Sequence, residues 1–500
     1  MSREPMSSMN AAESLLSTGD GNRVALECGD RLLSYSALRE AVRRAAGAWR
    51  SLGLQTGDRV LVYAPDSIDW VIAYLSAIWA GGVAVGLNSR LFEKDLSVVL
   101  ADCGARFVFC DPESVATLER LLRGEPGAPR VVARPEALAL WSAAAPLPVE
   151  RRPAESPALW FYTSGTTGLA KGVIHAQRAV IETASFAKTI LGVDERARLY
   201  ASSKLFFAYA MGNALCAGLR LGATVILDGE WPTAERVVQV VERHHPTVMF
   251  SVPTLYLKIL QAGLTGQLVR AGVKHFVSAG EALPAAVRRL WKDATGIAPV
   301  SGFGASETIA LVLYCDDDSA RLSPSPMVEI RPRAAAAETA EAPRRVWLRH
   351  PCVSLGYWKR PEAQSDSFDD GWFSPGDLFR RSGDAWEYCG RDDDMLKISG
   401  QWVSVLEIEQ ALISCAAGSV QQLAAVGYTS ADGLGSIALF AVATAGQEPE
   451  ARARIQAGMA TLPKIKRPRL VKWIQEMPVT ATGKLQRRRL KDLYLVHEVA

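Results

Sequence analysis

Short apolar runs alternate with helical stretches along much of this chain, and this alternation restricts the possible fold more than any other feature. The strand-like runs are rich in β-branched or aromatic residues and occupy 106–110, 224–227, 247–251 and 275–278. Helical periodicity is found between them, for example over 233–245 and 285–295. Strands that alternate with helices usually form parallel sheets covered by helices. The sequence therefore predicts an α/β fold of layered, largely parallel sheets.

Residues 70–87 form a run of eighteen residues without a charge. This is about the minimum length of a membrane-spanning helix. Gly81 and Gly82, however, divide the run into a helix-like part and a strand-like part, and residues 58–63 before it read as another strand. Asp66 is placed to cap the helix. We therefore predict a buried strand–helix–strand unit and no membrane insertion.

Composition excludes several other classes of protein. The chain has 500 residues, of which 49% are hydrophobic and 22% charged, so it is globular and long enough for at least two domains. A net charge of +3 is too small for a dedicated nucleic-acid binder. The eight cysteines form no C-x-x-C pair, which gives zinc or redox dithiol sites little support and favours a reduced, cytoplasmic setting. The first sixteen residues contain Glu4 and Glu13 and no apolar stretch, which is not typical of a secretory signal.

A polar segment at 390–394 separates two regions of different pattern. After it, the order helix, strand, strand, helix, strand over 408–475 predicts a small α+β domain. We place the boundary at Asp393, with a large N-terminal domain at 1–392 and a small one at 393–500. The alanine-rich, acidic stretch at 333–343 is expected to be a surface hairpin or loop.

The segment 162–172, YTSGTTGLAKG, carries the strongest local chemical signal. Its glycines let successive backbone N–H groups point into one concavity, and its hydroxyls and lysine add donors suited to a polyphosphate. It is not a Walker A loop, because that motif requires glycine where Ala170 stands. The donors predicted to bind phosphates here are Thr163, Ser164, Gly165, Thr166, Thr167, Gly168 and Lys171.

This loop resembles that of the acyl-adenylate-forming superfamily, which includes acyl- and aryl-CoA synthetases, adenylation domains of peptide synthetases, and luciferases. Motifs similar to those of the family follow in the same order, at 302–307, 371–377, 390–400 and 478–484. The resemblance implies a large domain that binds AMP and the acid, and a small mobile domain that carries a catalytic lysine.

The resemblance also implies roles for residues of these motifs. In the second motif Phe303 would pack against adenine, with Gly304 beside it, Ser306 would lie near the α-phosphate, and Glu307 would hold Mg²⁺ with ATP. Asp377 would take the ribose hydroxyls, since a carboxylate can accept from both, and Arg391 would reach the nucleotide. In the small domain, the pivot would be Asp393, and the CoA channel would be lined by Gly400, Gln401 and Trp402. Lys484 would be the catalytic lysine of adenylation. Lys171 and Glu307, in the large domain, would assist it.

Residues 204–213, KLFFAYAMGN, resemble the corresponding stretch of benzoate-CoA ligases. By that match the acid pocket is lined by Phe207, Ala208, Tyr209, Gly280, Gly304 and Leu311. Glycine walls and an aromatic edge suit a planar ring. The alternative is that Phe206, Phe207 and Tyr209 are core aromatics. Benzoate, hydroxybenzoates, aminobenzoates and small heteroaryl or cyclohexane acids all remain open as substrates.

We therefore expect an ATP-dependent aryl acid:CoA ligase that acts on benzoate or a substituted benzoate. It would form an aryl-adenylate and release AMP and pyrophosphate, using ATP, Mg²⁺ and coenzyme A. One alternative is a stand-alone adenylation enzyme that loads the phosphopantetheine of a carrier protein. Another is a non-catalytic ATP-binding protein of the same fold. The oligomeric state is not predicted.

Overall fold

The computed structural model describes residues 8–164, 170–319, 321–333, 342–398, 401–416, 418–430, 435–479 and 485–495. Two large sheets form the body of the chain up to residue 357. In spatial order, the strands of the first sheet within the described ranges are Gly356–Tyr357, Ala170–Ala176, Pro157–Ser164, Val83–Gly86, Arg59–Tyr63, Phe107–Cys110 and Arg130–Ala133. Its strands are parallel except for the first two, which run antiparallel to their neighbours.

The second sheet is parallel in its centre and antiparallel at both edges. Its strands are, in spatial order, Ser323–Pro324, Leu313–Cys315, Val300–Phe303, His275–Ser278, Val248–Ser251, Arg198–Ala201, Thr224–Leu227, Val24–Cys28 and Arg31–Ser34. The predicted α/β class with largely parallel sheets is confirmed for both.

A third sheet, which the sequence analysis did not predict, is antiparallel. It contains Glu329–Pro332, Arg344–Arg349, Phe368–Asp369, Trp372–Phe373, Asp377–Ser382 and Ala385–Arg391. The strands on either side of the alanine-rich stretch pair with each other, so that stretch joins the arms of a hairpin; residues 334–341 themselves lie outside the described part. A short separate pair joins Ser8–Met9 to Arg152–Pro153.

Helices cover both faces of the two large sheets. Their bounds are Ala11–Leu16, Tyr35–Ser51, Ile68–Trp79, Glu93–Cys103, Pro112–Leu122, Arg134–Ala143, Gln177–Glu182, Ala184–Thr189, Ala208–Ala210, Ala217–Arg220, Ala234–His244, Pro253–Gln261, Thr265–Arg270, Ala285–Thr295 and Pro361–Ser367, with a π-helix at Met211–Cys216. Successive residues of a strand point to opposite faces, so Val60 and Val62 enter the core between the sheets while Leu61 and Tyr63 enter the outer one. The result is a stack of helical and sheet layers.

The C-terminal elements form a smaller α+β unit, in which the predicted order helix, strand, strand, helix, strand is found; the boundary at Asp393 stays a prediction. Its strands are Met395–Ile398, Gln401–Ser404, Val420–Thr429, Gly435–Ala443 and Leu470–Trp473, and its helices are Val405–Cys415, Glu448–Thr461 and Arg487–Tyr494, with 3₁₀ turns at Asp392–Asp394 and Lys464–Lys466. The strand Val420–Thr429 sends Ala425 into one apolar core and Ala424 into another. The unit therefore has its own core on each face of its sheet.

The charge-free run folds as predicted, with helix Ile68–Trp79 between strands Arg59–Tyr63 and Val83–Gly86. Within the ranges given above, no helix combines the length and the apolar character needed to cross a membrane. The prediction that Asp66 caps this helix is wrong. Ser67 is the cap and accepts from the Trp70 N–H, whereas the Asp66 carboxyl group accepts from the Leu205 N–H at 3.0 Å.

Candidate active site

An antiparallel hairpin carries the predicted phosphate-binding segment. Its strands pair so that Thr163 lies opposite Lys171. The Lys171 Nζ atom lies 5.4 Å from the centre of the Tyr357 ring, close enough for a cation–π interaction. The remaining predicted phosphate ligands Gly165, Thr166, Thr167 and Gly168, and the side chain of Ser164, lie outside what the structure describes, so their roles stay predictions.

Both strands of this hairpin are held by Asp102, at the end of helix Glu93–Cys103. The Tyr162 hydroxyl donates to Asp102 Oδ2 at 2.8 Å. The Arg360 guanidinium donates to Asp102 Oδ1 at 3.0 Å and to the Ala170 carbonyl at 3.3 Å. Tyr162 precedes Thr163 on one strand and Ala170 precedes Lys171 on the other, so the anchor fixes the neighbours of two predicted phosphate ligands. No local pattern indicates this anchor, because Asp102 and Arg360 are 258 positions apart.

Glu307, the predicted magnesium ligand, is joined to the same region by Tyr357. The Tyr357 hydroxyl donates to Glu307 Oε1 at 2.6 Å. Burial and the adjacent carboxylate raise the pKa of Tyr357 above its ordinary value, so this hydroxyl keeps its proton. Tyr357 thus contacts Lys171 through its ring and Glu307 through its hydroxyl, and it brings two predicted catalytic residues to one place. Sequence reasoning missed Tyr357.

His175 supports the predicted α-phosphate residue from behind. Its Nε2 atom lies 2.7 Å from the Ser306 carbonyl oxygen, which requires a donor, so this nitrogen carries the proton. The side chain is fully buried, and burial lowers the pKa of His175 to about 4. The imidazole is therefore neutral at physiological pH and acts as a hydrogen-bond donor to the nucleotide motif.

The predicted adenine and ribose contacts meet around Tyr388. The ring of Phe303 lies 5.9 Å from that of Tyr388, and the Tyr388 hydroxyl donates to Asp377 Oδ1 at 3.0 Å. Arg391 Nη1 lies 3.7 Å from Asp377 Oδ2. A Cβ at Gly376 would lie 2.9 Å from Arg391 Nη2, so glycine there leaves room for the guanidinium. An apolar ring, a carboxylate and a cation thus adjoin one another, an arrangement that can bind a nucleoside phosphate.

The predicted acid pocket lies at the carboxyl ends of the central strands of the second sheet. The Tyr209 hydroxyl donates to the Val277 carbonyl at 2.9 Å, near the end of His275–Ser278. Gly280, just beyond that strand, has φ +89°, a conformation that favours glycine. A Cβ at Gly304 would lie 2.7 Å from the Ala310 carbonyl oxygen and 3.4 Å from Leu311. Glycine is therefore needed where Leu311 packs close to the second motif.

The aromatic residues of the 204–213 segment have different surroundings. Phe206 is buried and its ring lies 4.4 Å from that of Phe207, which is half-buried. Ala208 is buried, and Tyr209 is half-buried with its ring edge-on to Phe250. The core alternative therefore applies to Phe206. Phe207 and Tyr209 are not fully buried, although Tyr209 also packs against a buried apolar cluster, and the place of both in the acid pocket stays a prediction.

The predicted pivot, Asp393, is the middle residue of three consecutive aspartates. Arg345, in the third sheet, lies 2.7 Å from Asp392 Oδ2 through Nη2. Arg487, in the C-terminal helix, lies 3.4 Å from Asp394 Oδ1 through Nε. One flanking aspartate is thus held by each of the two domains.

Arg487 is itself fixed inside the small domain. Its Nη1 atom lies 2.9 Å from Glu409 Oε1, and the same oxygen accepts from the Ala425 N–H at 2.6 Å. Burial raises the pKa of Glu409. The link from Arg487 to Asp394 therefore connects the neighbour of the predicted pivot to the core of the small domain.

Other predicted residues of the small domain are not placed. Gly400 and Lys484 lie outside the described part of the chain, as do the side chains of Asp393, Gln401 and Trp402. The backbone of Gln401 pairs with Ile398. Val479 and Leu485 form a bridge on either side of the segment that contains Lys484.

Comparisons with known proteins identify the family and the fold of the chain. The model of the family described as AMP-binding enzyme matches residues 17–358. A 3-hydroxybenzoate–CoA/4-hydroxybenzoate–CoA ligase of Thauera aromatica is 37% identical over 98% of each chain.

Two solved structures extend the similarity to the fold. The crystal structure of an anthranilate CoA ligase in complex with anthranoyl-AMP matches with a TM-score of 0.91 and 28% identity over 98% of each chain. A benzoate CoA ligase from Burkholderia xenovorans LB400 matches with a TM-score of 0.86 and 30% identity, over 96% of this chain and 99% of that one. The chain thus belongs to the family of AMP-binding enzymes, as the resemblance of its motifs predicted.

Proposed function

We propose that this chain is an ATP-dependent aryl acid:CoA ligase that activates benzoate or a hydroxylated benzoate. The observation that supports this most strongly is spatial. The nucleotide residues of the second motif lie at the carboxyl ends of the strands of the second sheet, and so do Tyr209 and Leu311. An acid and the α-phosphate can meet there. Ligands of α/β proteins commonly bind at the carboxyl ends of parallel strands. The hydroxybenzoate-CoA ligase of similar length supports the choice of acid.

In the first half-reaction the acid's carboxylate attacks the α-phosphorus of ATP, and pyrophosphate leaves. Phe303, Asp377 and Arg391 hold the nucleoside, while Lys171 and Thr163 bind its phosphates. Negative charge grows on the oxygens around phosphorus as the new bond forms. Ammonium groups placed in advance stabilise that charge without reorganisation. We assign this role to Lys171 and Lys484.

The donor set fits magnesium bound with ATP. Mg²⁺ usually takes one or two carboxylates together with phosphate oxygens and water. Glu307 offers such a carboxylate, oriented by the Tyr357 hydroxyl at Oε1. Glu307 would hold the ion, which supplies neutralisation of phosphate charge when bound.

In the second half-reaction the small domain turns about Asp393, removes Lys484 and brings in Gly400, Gln401 and Trp402. The CoA thiol then attacks the carbonyl of the aryl-adenylate, and AMP leaves. The ion pairs at Asp392 and Asp394 support this proposal, because each binds one side of the pivot to a different domain. Rotation is then confined to the residue between them. A domain rotation of this kind couples exclusion of water to assembly of the second site.

Separate assays of the two half-reactions test the proposal. Lys484→Ala should slow pyrophosphate release with benzoate by about 10²- to 10³-fold, the scale of losing one preorganised group. Thioester formation from supplied benzoyl-adenylate should change much less. Lys491→Ala, an exposed lysine on the following helix, is the matched control and should leave both rates unchanged. Equal losses in both half-reactions of Lys484→Ala would refute the assignment.

The thiol that accepts the acyl group is identified in the same assay. We propose CoA, because relatives of similar length are CoA ligases. Thioester formation with a carrier protein and none with CoA would favour the stand-alone adenylation enzyme. No pyrophosphate release with any acid would favour the non-catalytic alternative.

A further inference from the structure

The helix that carries Tyr209 changes its winding at the acid pocket. Helix Ala208–Ala210 continues as a π-helix over Met211–Cys216. π-helical turns are rare and are frequently found at functional sites. Asn213 lies in this turn with its side chain buried. A buried amide must find partners, and its partners indicate what the turn does.

Asn213 joins two residues of the predicted acid pocket. Its Nδ2 atom donates to the Tyr209 carbonyl at 3.0 Å, and its Oδ1 atom accepts from the Leu311 N–H at 3.2 Å. The Leu311 N–H is a donor, so the oxygen of the amide must face it. One side chain therefore satisfies the backbone of both pocket residues, across 98 positions of sequence.

The loop on the Leu311 side is strained and closely packed. Ile309 has φ +52°, which is unfavourable for a β-branched residue. The Thr308 hydroxyl contacts the carbonyls of Ala305 and Ala310, at 3.1 and 3.0 Å. A Cβ at Gly212, next to Asn213, would collide with the Ile309 carbonyl oxygen.

Such a conformation persists only where its surroundings enforce it. This loop also connects Glu307 to Leu311, so it joins the nucleotide motif to the acid pocket.

We propose that Asn213 is a specificity-determining positioning residue that sets the distance between Tyr209 and Leu311. The inference rests on the proposed function, since it takes these two residues as walls of the aryl slot. Contacts between carbon atoms are best at about 3.5–4.0 Å, and a gap of 0.5–1 Å already loses a quarter to a half of the attraction. A planar ring between two walls therefore depends on their spacing. A thicker, non-planar acid needs a wider spacing between the walls, so a change of spacing that weakens the contacts of a planar ring should not weaken those of the thicker acid in the same way.

The substitution Asn213→Leu tests the proposal, because it keeps the number and branching of the heavy side-chain atoms and removes both hydrogen bonds. Pyrophosphate release is measured with benzoate, which is planar, and with cyclohexanecarboxylate, which is not. The ratio of kcat/KM for benzoate to that for cyclohexanecarboxylate should fall by about tenfold or more, the scale of a small change in an apolar pocket. The KM for ATP should stay within about threefold. Met211→Leu, a volume-conserving change in the same π-helix, is the matched control and should leave the ratio within about twofold.

Asn213→Asp provides a second variant if Asn213→Leu does not fold. It keeps an acceptor for the Leu311 N–H and loses the donor to the Tyr209 carbonyl, so the ratio should again fall. An unchanged ratio in a folded variant would overturn the role of Asn213, as would equal losses for both acids and for ATP binding. If the unaltered enzyme released no pyrophosphate with any aryl acid, the proposed function and this inference would fail together. Release with an unchanged ratio would refute the inference alone.

Discussion

Replacing His175 by glutamine should remove the part of the acid sensitivity of this fold that is due to this buried imidazole. The side chain is fully buried and donates to the Ser306 carbonyl at 2.7 Å. Burial lowers the pKa of His175 to about 4, whereas an exposed histidine in the unfolded chain has a pKa of about 6.5. Glutamine can still donate to Ser306 but does not titrate.

The sign of the effect follows from proton uptake. Between pH 6.5 and 4 the unfolded chain binds a proton at this position and the folded chain does not, so the free energy of unfolding falls as the pH falls. The stabilisation is fully present above about pH 6.5 and is lost on the way to pH 4. From about pH 7.5 to 5 the loss due to His175 is about 2 kcal/mol, because proton uptake by the unfolded chain begins near pH 6.5 and costs about 1.36 kcal/mol for each pH unit below it.

Urea unfolding followed by tryptophan fluorescence, at pH 7.5 and at pH 5, measures this quantity. The decrease between the two pH values should be smaller by about 2 kcal/mol in His175→Gln than in the unaltered protein. His175→Leu should lose the same pH dependence. It should also raise the KM for ATP, because it leaves the buried Ser306 carbonyl without a donor.

An independent measurement can refute this reasoning directly. The chain has six histidines, so His175→Gln identifies the resonance of His175 in a ¹³C-histidine NMR titration. Titration of that resonance near pH 6.5 in the folded protein would show that burial does not hold the imidazole neutral. An equal pH dependence of unfolding in the two proteins would lead to the same conclusion.

Two other substitutions give measurable expectations. Tyr357→Phe keeps the ring beside Lys171 and removes the 2.6 Å hydrogen bond to Glu307. The KM for Mg-ATP in pyrophosphate exchange should therefore rise about tenfold, the scale of a hydrogen bond to a charged group. An unchanged KM would show that Glu307 does not take part in binding the nucleotide. Burial raises the pKa of Asp66 to about 7, so the fold retains a proton that the unfolded chain loses near pH 4, and stability due to this group falls as the pH rises from 4 to 7. Asp66→Asn keeps an acceptor for the Leu205 N–H, and from pH 5 to 7.5 its free energy of unfolding should gain on the order of 2 kcal/mol relative to the unaltered protein. If the free energies of unfolding of Asp66→Asn and of the unaltered protein differed by the same amount at both pH values, this expectation would be contradicted.

Local pattern was enough to predict several of the regular elements of the large sheets. Thr224–Leu227 and His275–Ser278 form strands with the bounds expected, because each is an apolar, partly β-branched run that ends at a turn or polar residue. The helix Ala285–Thr295 was likewise predicted with its bounds, and Gly296 follows it in the left-handed conformation that ends helices. In these segments the signal lies within a dozen residues.

Prediction failed where a distant partner decides the outcome. Asp66 and Ser67 are both residue types that cap helices, and the sequence cannot rank them. The Leu205 N–H, 139 positions away, takes Asp66 and leaves Ser67 as the cap. The π-helix was missed for a similar reason, since it adjoins Ile309 and Leu311 and no periodicity within 208–220 indicates it.

The candidate site combines both kinds of information. Its chemical groups come from short motifs, whose glycines, hydroxyls and charges can be read in the sequence. The atoms that orient those groups come from elsewhere: Tyr357 for Glu307, His175 for Ser306, and Asp102 for the phosphate hairpin. Each of these three side chains lies on another element and forms a hydrogen bond with a motif residue or with its immediate neighbour. Tyr357 and His175 form that bond with the motif residue itself. A catalytic group oriented in this way keeps its position only as long as its support does. Substitution of the supports should therefore alter ATP binding although none of them belongs to a recognised motif.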